Sequence, residues 1–262
     1  MMRKNTSLLF PVTVTLFVIG FLCTGLSFAR RPITVMSYNI HHGKDLEGND
    51  RIDEMADFIR NSGAGIVGLQ EVDSVCTRSG RVDQTAELAR KAGMNPVFAR
   101  HFAFQGGAYG QALLSKYPVH AVETLRLPVA SGSVVMLMAD VLITDTRKIR
   151  VVNVHLDYRG QESREQQVRL IVEQLKNCKL PIVFVGDLNT VPGSPELEVL
   201  MRGLRLADTH PDGGYTFPAN KPDRRIDYVL TSPGAKVIRA QVPDVPYSDH
   251  LPIISELVIK GK

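Results

Sequence analysis

The chain has 262 residues and a formal net charge of +4, with 22% charged and 6% aromatic residues. A net charge this small does not by itself indicate strong binding to nucleic acid. The low aromatic content argues against a sugar-cleaving enzyme, whose site would need aromatic rings that stack on the sugar. No linker-like, low-complexity or repeated segment divides the chain, which favours one large domain.

Residues 1–29 have the pattern of a secretory signal peptide. A short basic start precedes an apolar run over residues 8–26, and Ser27 and Ala29 supply the small residues of a cleavage site. The rival interpretation is an uncleaved membrane anchor, because the apolar run is nearly long enough to span a bilayer. The pattern therefore predicts an exported protein (periplasmic, extracellular or membrane-tethered) with a catalytic domain over residues 30–262.

The remaining chain mixes short strands with a few helices. Runs rich in β-branched residues predict strands at Ile33–Tyr38, Ile66–Leu69, Gln111–Ser115, Val134–Ile143, Ile149–His155, Ile182–Val185, Ile226–Leu230 and Lys236–Val242. Helical spacing of apolar residues predicts helices at Arg51–Arg60, Gln84–Ala92, Glu162–Lys176 and Ser194–Met201. Strand and helix alternate early and late, with a strand meander between, which favours two packed sheets with helices outside them. Cys76 and Cys178 fall near opposite ends of the sheet, which predicts two unpaired thiols.

Several predicted strands end in polar residues. If the backbone stays extended after Val185, Asp187 and Asn189 share one face while Leu188 returns to the core. The full set of such residues is Asn39, Glu71, His155, Asp187, Asn189, Asp249 and His250. Oxygen donors with imidazoles and no thiolate suit Mg²⁺ or Mn²⁺ better than zinc, and Mg²⁺ keeps substrate phosphate oxygens among its ligands. If the strand ends converge, phosphate-ester hydrolysis is the natural chemistry.

Each of these residues also has a purely structural interpretation. An asparagine after a strand is usually a turn former, a single buried histidine is usually structural, and Asp249-His250 also fits a turn before a last strand. Two rival functions remain: a non-catalytic envelope binding protein, and a glycoside hydrolase that uses Glu71 and Asp187 as its carboxylate pair. Only the joint order of the polar residues along the chain favours the hydrolase of phosphate esters.

That joint order resembles the endonuclease/exonuclease/phosphatase superfamily of DNase I-like nucleases, apurinic endonucleases, inositol-polyphosphate 5-phosphatases and neutral sphingomyelinases. The matching segments are SYNI at 37–40, GLQEV at 68–72, QALLSKYP at 111–118, NVHL at 153–156, VGDLN at 185–189, RIDY at 225–228 and SDHLP at 248–252. They span nearly the whole mature chain in the family's order. The resemblance implies an α/β (α+β) fold, a four-layer αββα sandwich with the site at one edge, and a metal-dependent phosphoesterase.

The resemblance also implies catalytic roles. Asp187 would align the attacking water, and Asn189 would hold water or phosphate beside it. His250 would donate to a non-bridging oxygen or shuttle a proton, with Asp227 orienting its ring. His155 would stabilise charge on the phosphoryl oxygens.

The implied metal ligands are Glu71, Asn39 and Asp249, which would hold Mg²⁺ or Mn²⁺. Nucleic acid, phospholipid head groups and small sugar or inositol phosphates all remain open as substrates. An uncleaved N-terminal segment would add association with a membrane.

The predicted substrate contacts are Gln111, Tyr109, Arg78 and Arg81. Gln111 stands where many relatives carry an asparagine, and its longer amide still has the reach to contact a phosphate. Arg78 and Arg81 follow Glu71 closely and suit a clamp on a substrate phosphate, although a solvated loop and helix cap fit them equally well.

Overall fold

The computed structural model describes residues 31–129 and 132–260, so the predicted signal peptide lies outside the described residues. The described strands are β1 (Ile33–Asn39), β2 (Ile66–Ser74), β3 (Asn95–Phe104), β4 (Gly107–Ser115), β5 (Val119–Val129), β6 (Gly132–Thr144), β7 (Arg147–His155), β8 (Ile182–Asp187), β9 (Ala207–Asp208), β10 (Asp227–Thr231), β11 (Ala235–Gln241) and β12 (Ile253–Ile259). The α-helices are α1 (Ile52–Asn61), α2 (Gln84–Ala92), α3 (Gln161–Leu175) and α4 (Pro195–Leu204). No helix in these ranges is both long and apolar enough to cross a membrane.

The strands form two six-stranded mixed sheets that pack face to face. The first sheet has the order β11-β12-β1-β2-β4-β3, and the second has the order β5-β6-β7-β8-β10-β9. One apolar layer fills the space between the sheets, a second joins the first sheet to α1 and α2, and a third joins the second sheet to α3 and α4. The implied four-layer αββα sandwich is therefore confirmed.

One parallel strand pair in each sheet brings the polar strand ends together. β1 and β2 are parallel and are joined through α1, whereas β7 and β8 are parallel and are joined through α3. In the second sheet His155 lies beside Asp187, and Asp187 lies beside Asp227 of antiparallel β10. In the first sheet Asn39 lies beside Gln70. The topology thus gathers the ends of β1, β7 and β8, the start of β10 and the irregular part of β2 at one edge of the sandwich.

Every predicted strand and helix has a counterpart in the structure, including the edge strand β11, but β3, β5, the short β9 and the buried β12 were not among the predicted strands. The helix at Gln84–Ala92 is confirmed to the residue, and both cysteines are free. The pattern misses β3 and β5, because both are edge strands with many exposed side chains and little apolar alternation. The predicted end of β2 at Leu69 is also wrong, since the strand continues to Ser74 through an irregularity between Leu69 and Val72.

We expect Gly68→Ala to destabilise the protein, because Gly68 is where the two sheets approach closely. A Cβ atom there would lie 2.3 Å from Val185 Cγ2 and 3.0 Å from Asn153 Oδ1. Overpacking of this kind typically costs about 1–3 kcal/mol of unfolding free energy. Urea denaturation measures the loss, with Gly213→Ala as the control because a Cβ at Gly213 has no neighbour within 4 Å. Equal unfolding free energies for the two variants would contradict the prediction.

Candidate active site

Asn39, at the end of β1, links the two sheets across the site. Its Nδ2 atom donates to Glu71 Oε1 at 3.2 Å and to Asp187 Oδ2 at 3.0 Å, and it lies 3.5 Å from His250 Nε2. Its Oδ1 atom accepts the backbone N–H of His41 at 3.1 Å. The nitrogen rather than the oxygen therefore faces the carboxylates. In this arrangement the Asn39 amide orients two carboxylates, and its role as a metal ligand stays a prediction.

Glu71 is positioned by the irregularity in β2. Its φ of 58° lies in the left-handed region, which is uncommon for a non-glycine residue and is typical of strained positions at functional sites. A bulge re-aims a side chain away from its regular alternation, and here the Glu71 carboxylate lines the cleft while Gln70 is buried. Gln70 and Glu71, which follow the predicted strand end at Leu69, therefore lie in a bulge that points Glu71 into the cleft.

Asp187 and Asn189 face the same cleft, but an extended backbone is not the reason. Asn189 has a φ of 49°, and its backbone N–H donates to Asp187 Oδ1 at 2.9 Å, which closes a local turn. The Asn189 side chain donates to Leu156 O at 3.0 Å, next to His155. Leu188 is fully buried, as expected. Asn189 thus fixes the ends of β7 and β8 against each other.

His250 lies between two buried carboxylates. Its Nδ1 atom is 2.9 Å from Asp227 Oδ2, and its Nε2 atom is 3.7 Å from Asp187 Oδ2. Burial alone lowers the pKa of His250, but the charges of Asp227 and Asp187 outweigh it and raise that pKa to about 10. His250 is therefore an imidazolium at neutral pH. Burial, and then the charge of Asp227, raise the pKa of Asp187.

His155 completes a row of three side chains across the second sheet. Its Nε2 atom lies 3.5 Å from Asp187 Oδ2, the same oxygen that Asn39 and His250 approach. Asp187, Asp227 and His250 also offer ligand atoms within 4.8 Å of one another, as a metal site requires. All three are buried, however, and the hydrogen bond between Asp227 and His250 occupies that space. We interpret this trio as an oriented imidazolium.

Glu71 and Asp249 fit a hard divalent cation better. Both line the cleft, Glu71 accepts its hydrogen bond from a neutral amide, and the ion-pair partner of Asp249 is His41 at 3.9 Å. Burial raises the pKa of Asp249, and the Glu71 charge raises it further. Together with Asp187 and Asp227, the site holds four carboxylates around one imidazolium. This excess of negative charge suits a bound Mg²⁺ or Mn²⁺.

Two adjoining cavities open onto these residues. The reaction-centre cavity, of about 780 Å³, contains Asp187, Asn189, Asp249 and His250. The second cavity, of about 580 Å³, we call the aromatic compartment; its walls include Arg78, His101, Phe102, Phe104, Tyr109 and Tyr158. Glu71, His155, Tyr109 and Tyr158 line both cavities. A substrate phosphate beside Glu71 and His155 therefore has room for a further group on either side.

The prediction that Gln111 contacts substrate is wrong. Gln111 is fully buried, and its side-chain nitrogen donates to Val135 O at 2.5 Å and to Asn153 O at 3.0 Å, both in the second sheet. Its partner Asn153 in turn donates to Leu69 O and Ala112 O at 2.9 Å. Gln111 belongs to a polar network that joins the sheets beneath the site.

The predicted clamp of two arginines is also wrong. Arg81 is exposed and is not among the residues that line either cavity. Arg78 lines the aromatic compartment, but its Nε and Nη2 atoms donate to buried Asp73 at 2.8 and 2.9 Å. Arg78 therefore lines the compartment as one half of an ion pair with Asp73. Tyr109 lies on the wall between the two cavities, where a substrate contact is available.

The sequence pattern misses three residues of the site. His101 lines the aromatic compartment from β3, a strand that the pattern did not predict. Ser248 donates from Oγ to Asn39 O at 2.8 Å and so ties the segment before β12 to β1. His42 lines the same compartment, and burial together with the Arg78 charge lowers its pKa to about 4. Ser248 lies within the SDHLP segment, and His42 lies two residues after the SYNI segment.

Comparison with known proteins agrees with this fold. A family model described as "Endonuclease/Exonuclease/phosphatase family" matches residues 36–250. An uncharacterized protein of Escherichia coli K12, YbhP, is 26% identical over 242 residues, which are 85% of this chain and 95% of YbhP. A mannosyl-6-phosphatase of Bacteroides thetaiotaomicron VPI-5482 has a similar structure, with a TM-score of 0.73, 19% identity, and coverage of 87% of this chain and 100% of that chain. ANGEL2, a 2',3'-cyclic phosphatase in complex with adenosine-2',3'-vanadate, has a TM-score of 0.70 and 16% identity, with coverage of 88% and 96%.

A four-layer αββα sandwich with this cluster at its strand ends is a phosphoesterase fold. The family match covers most of the chain, and the chain belongs to the endonuclease/exonuclease/phosphatase family. Members of this family are hydrolases that act on phosphate esters, and they are typically metal dependent.

Proposed function

We propose that this protein is an exported, Mg²⁺-dependent hydrolase of phosphate esters, and of phosphodiesters in particular, with Mn²⁺ as the alternative metal. One observation carries the proposal. Asn39 Nδ2 donates hydrogen bonds both to Glu71, the proposed metal ligand, and to Asp187, the proposed base for the attacking water. The same nitrogen lies next to the His250 ring. The signal-peptide pattern of residues 1–29 supports export. The chemistry is also supported by two proteins of similar fold, a mannosyl-6-phosphatase and a 2',3'-cyclic phosphatase.

The residues divide the reaction between them. Glu71 and Asp249 would hold the Mg²⁺ ion, which when bound would supply a Lewis acid that neutralises charge on a phosphate oxygen. Asp187 accepts a proton from the attacking water and holds that water in line with the phosphorus. His250, kept protonated by Asp227, donates a hydrogen bond to a non-bridging oxygen, and His155 stabilises the same developing charge.

The test is an assay of the purified protein with EDTA, Mg²⁺ or Mn²⁺. The substrates are bis-p-nitrophenyl phosphate, p-nitrophenyl phosphate, plasmid and single-stranded DNA, sphingomyelin, phosphatidylinositol and inositol phosphates. We expect turnover of at least one ester with metal and none in EDTA. If no ester is cleaved with either metal, the hydrolase proposal fails and a non-catalytic envelope binding protein becomes the better interpretation.

The Glu71→Gln variant tests whether the Glu71 carboxylate binds the metal ion. We expect this variant to raise the Mg²⁺ concentration for half-maximal activity by at least about ten-fold, because it removes a charged oxygen ligand. Glu47→Gln is the matched control, since Glu47 is exposed in the neighbouring loop. An unchanged Mg²⁺ requirement in Glu71→Gln would show that Glu71 is not a ligand.

A further inference from the structure

The aromatic compartment presents a stack of rings next to the reaction centre. The ring centroids of Phe102 and Tyr109 are 5.3 Å apart with an interplanar angle of 32°, and Phe104 lies 6.5 Å from Tyr109. Phe102 is 45% exposed, which is unusual for a large apolar side chain in a cavity wall. A volume of about 580 Å³ falls within the range of small-ligand sites, about 300–1,000 Å³. These rings form a platform for a flat group.

The wall behind the rings is held in place before any ligand binds. The Arg78 guanidinium lies over the Phe104 ring at 4.7 Å and over the Tyr109 ring at 5.5 Å, while Asp73 holds its Nε and Nη2 atoms. Gln105, beside Phe104, accepts the backbone N–H of Thr77 and that of Arg78, both at 3.0 Å. A preorganised platform of this kind spares a ligand the cost of ordering it.

His101 adds one fixed hydrogen-bond donor to the compartment. Its Nδ1 atom accepts the backbone N–H of Val135 at 2.9 Å, so the ring proton is on Nε2. Burial lowers the pKa of His101 to about 3, which keeps the ring neutral. The side chain is only 3% exposed, and Nε2 has no hydrogen-bond partner among the described residues. A buried donor without a partner is costly, and an acceptor on a ligand in the compartment would satisfy it.

We infer that the aromatic compartment binds the base of a nucleoside phosphate while the phosphate lies beside Glu71 and His155. The inference rests on the proposed hydrolase function and names its substrate class. A base offers flat π faces to the Phe102 and Tyr109 rings, and a ring nitrogen or carbonyl oxygen to the His101 donor. An acyl chain has no acceptor for that donor. A sugar ring carries several hydroxyl groups to which the ring faces of Phe102 and Tyr109 offer no hydrogen-bond partner, so it would depend on the polar part of the lining, such as Ser133 and Asp157.

The test compares AMP with ribose 5-phosphate, which has a hydroxyl group where AMP has adenine. Both are titrated by calorimetry, with Mg²⁺ present, into the Asp187→Asn protein so that neither ligand is consumed. We expect AMP to bind roughly 5- to 150-fold more tightly, as base stacking on an aromatic side chain predicts. Phe102→Ala, added to this protein, removes at least about five-fold of the AMP affinity and leaves ribose 5-phosphate unaffected.

Further variants separate the two contacts. His101→Leu weakens AMP binding without changing ribose 5-phosphate binding, whereas His101→Gln retains a donor and restores part of the AMP affinity. Leu170→Ala is the control, because Leu170 is an exposed apolar residue on α3, outside both cavities. In the wild-type background, Phe102→Ala raises KM for AMP or a nucleoside phosphodiester without lowering kcat, whereas Leu170→Ala leaves both constants unchanged.

Three outcomes would overturn the inference. Equal affinities for AMP and ribose 5-phosphate would show that the base makes no contact. An AMP preference that survives both Phe102→Ala and His101→Leu would place the base elsewhere. No binding of either ligand, together with metal-dependent cleavage of bis-p-nitrophenyl phosphate, would exclude the substrate class and leave the proposed hydrolase function standing. If no ester is hydrolysed at all, it is the proposed hydrolase function that fails.

Discussion

Replacing Asp187 with asparagine should lower kcat/KM by about 10²–10⁴-fold while the protein stays folded. The carboxylate is the one group that Asn39, His155 and His250 all approach, at the same Oδ2 atom. Asparagine keeps the shape and removes the charge that accepts a proton from water. Steady-state kinetics with Mg²⁺ on bis-p-nitrophenyl phosphate, or on the best ester of the panel, measures the loss.

The same substitution separates catalysis from stability. Because burial raises the pKa of Asp187 in the folded protein, its ionised form opposes folding above the ordinary carboxyl pKa. We therefore expect Asp187→Asn to have an unfolding free energy at neutral pH equal to or greater than that of wild type. Asp212→Asn, at an exposed loop position, is the control for activity. A variant that loses activity only because it unfolds would contradict the assigned role.

Replacing Asp227 with asparagine should also lower kcat by at least about 10²-fold, because His250 loses the partner that orients and charges it. Asp227 Oδ2 is 2.9 Å from His250 Nδ1, and its charge is the largest of those that raise the His250 pKa to about 10. Without this carboxylate the ring is less often protonated near neutral pH. Kinetics over a range of pH values should therefore show an alkaline loss of activity at lower pH in the variant than in wild type.

The pH dependence of the unfolding free energy, measured in EDTA, tests the interaction of Asp227 with His250 independently of activity. A histidine pKa raised from 6.5 to about 10 stabilises the folded state fully below pH 6.5, and this contribution is lost as pH rises towards 10. Wild type should therefore lose more unfolding free energy between pH 6.5 and 10 than Asp227→Asn. Asp140→Asn is the control, since Asp140 pairs with Arg150 in β6 and β7, away from the cleft residues. Parallel stability profiles for wild type and Asp227→Asn would refute a protonated His250.

The aromatic compartment and the reaction-centre cavity are expected to contact different parts of a substrate. In the proposed mechanism Glu71, Asp187 and His250 act on the phosphate whatever group it carries, whereas Phe102 and His101 line only the aromatic compartment. Variants of the first set should affect all esters alike. Variants of the second set should affect only esters of nucleosides.

The sequence by itself determined most of the buried elements and the chemistry of their ends. Apolar periodicity is a local property, so it indicated the α1 face with Ile52, Met55, Ala56 and Ile59 and most of the central strands, although not β12. The seven segments also indicated the family, because their order along the chain can be recognised without knowing how the strands pair.

Only the tertiary structure decided which polar side chains meet. Asn39 and Asp187 are 148 residues apart, and their hydrogen bond depends on the packing of one sheet against the other. The face on which a strand residue points is set by register and bulges, so Glu71 turns into the cleft at a left-handed φ while Gln111 turns into the space between the sheets. His101 lies on an edge strand whose weak pattern gave no local signal, and only the pairing of β3 with β4 brings its ring into the cleft.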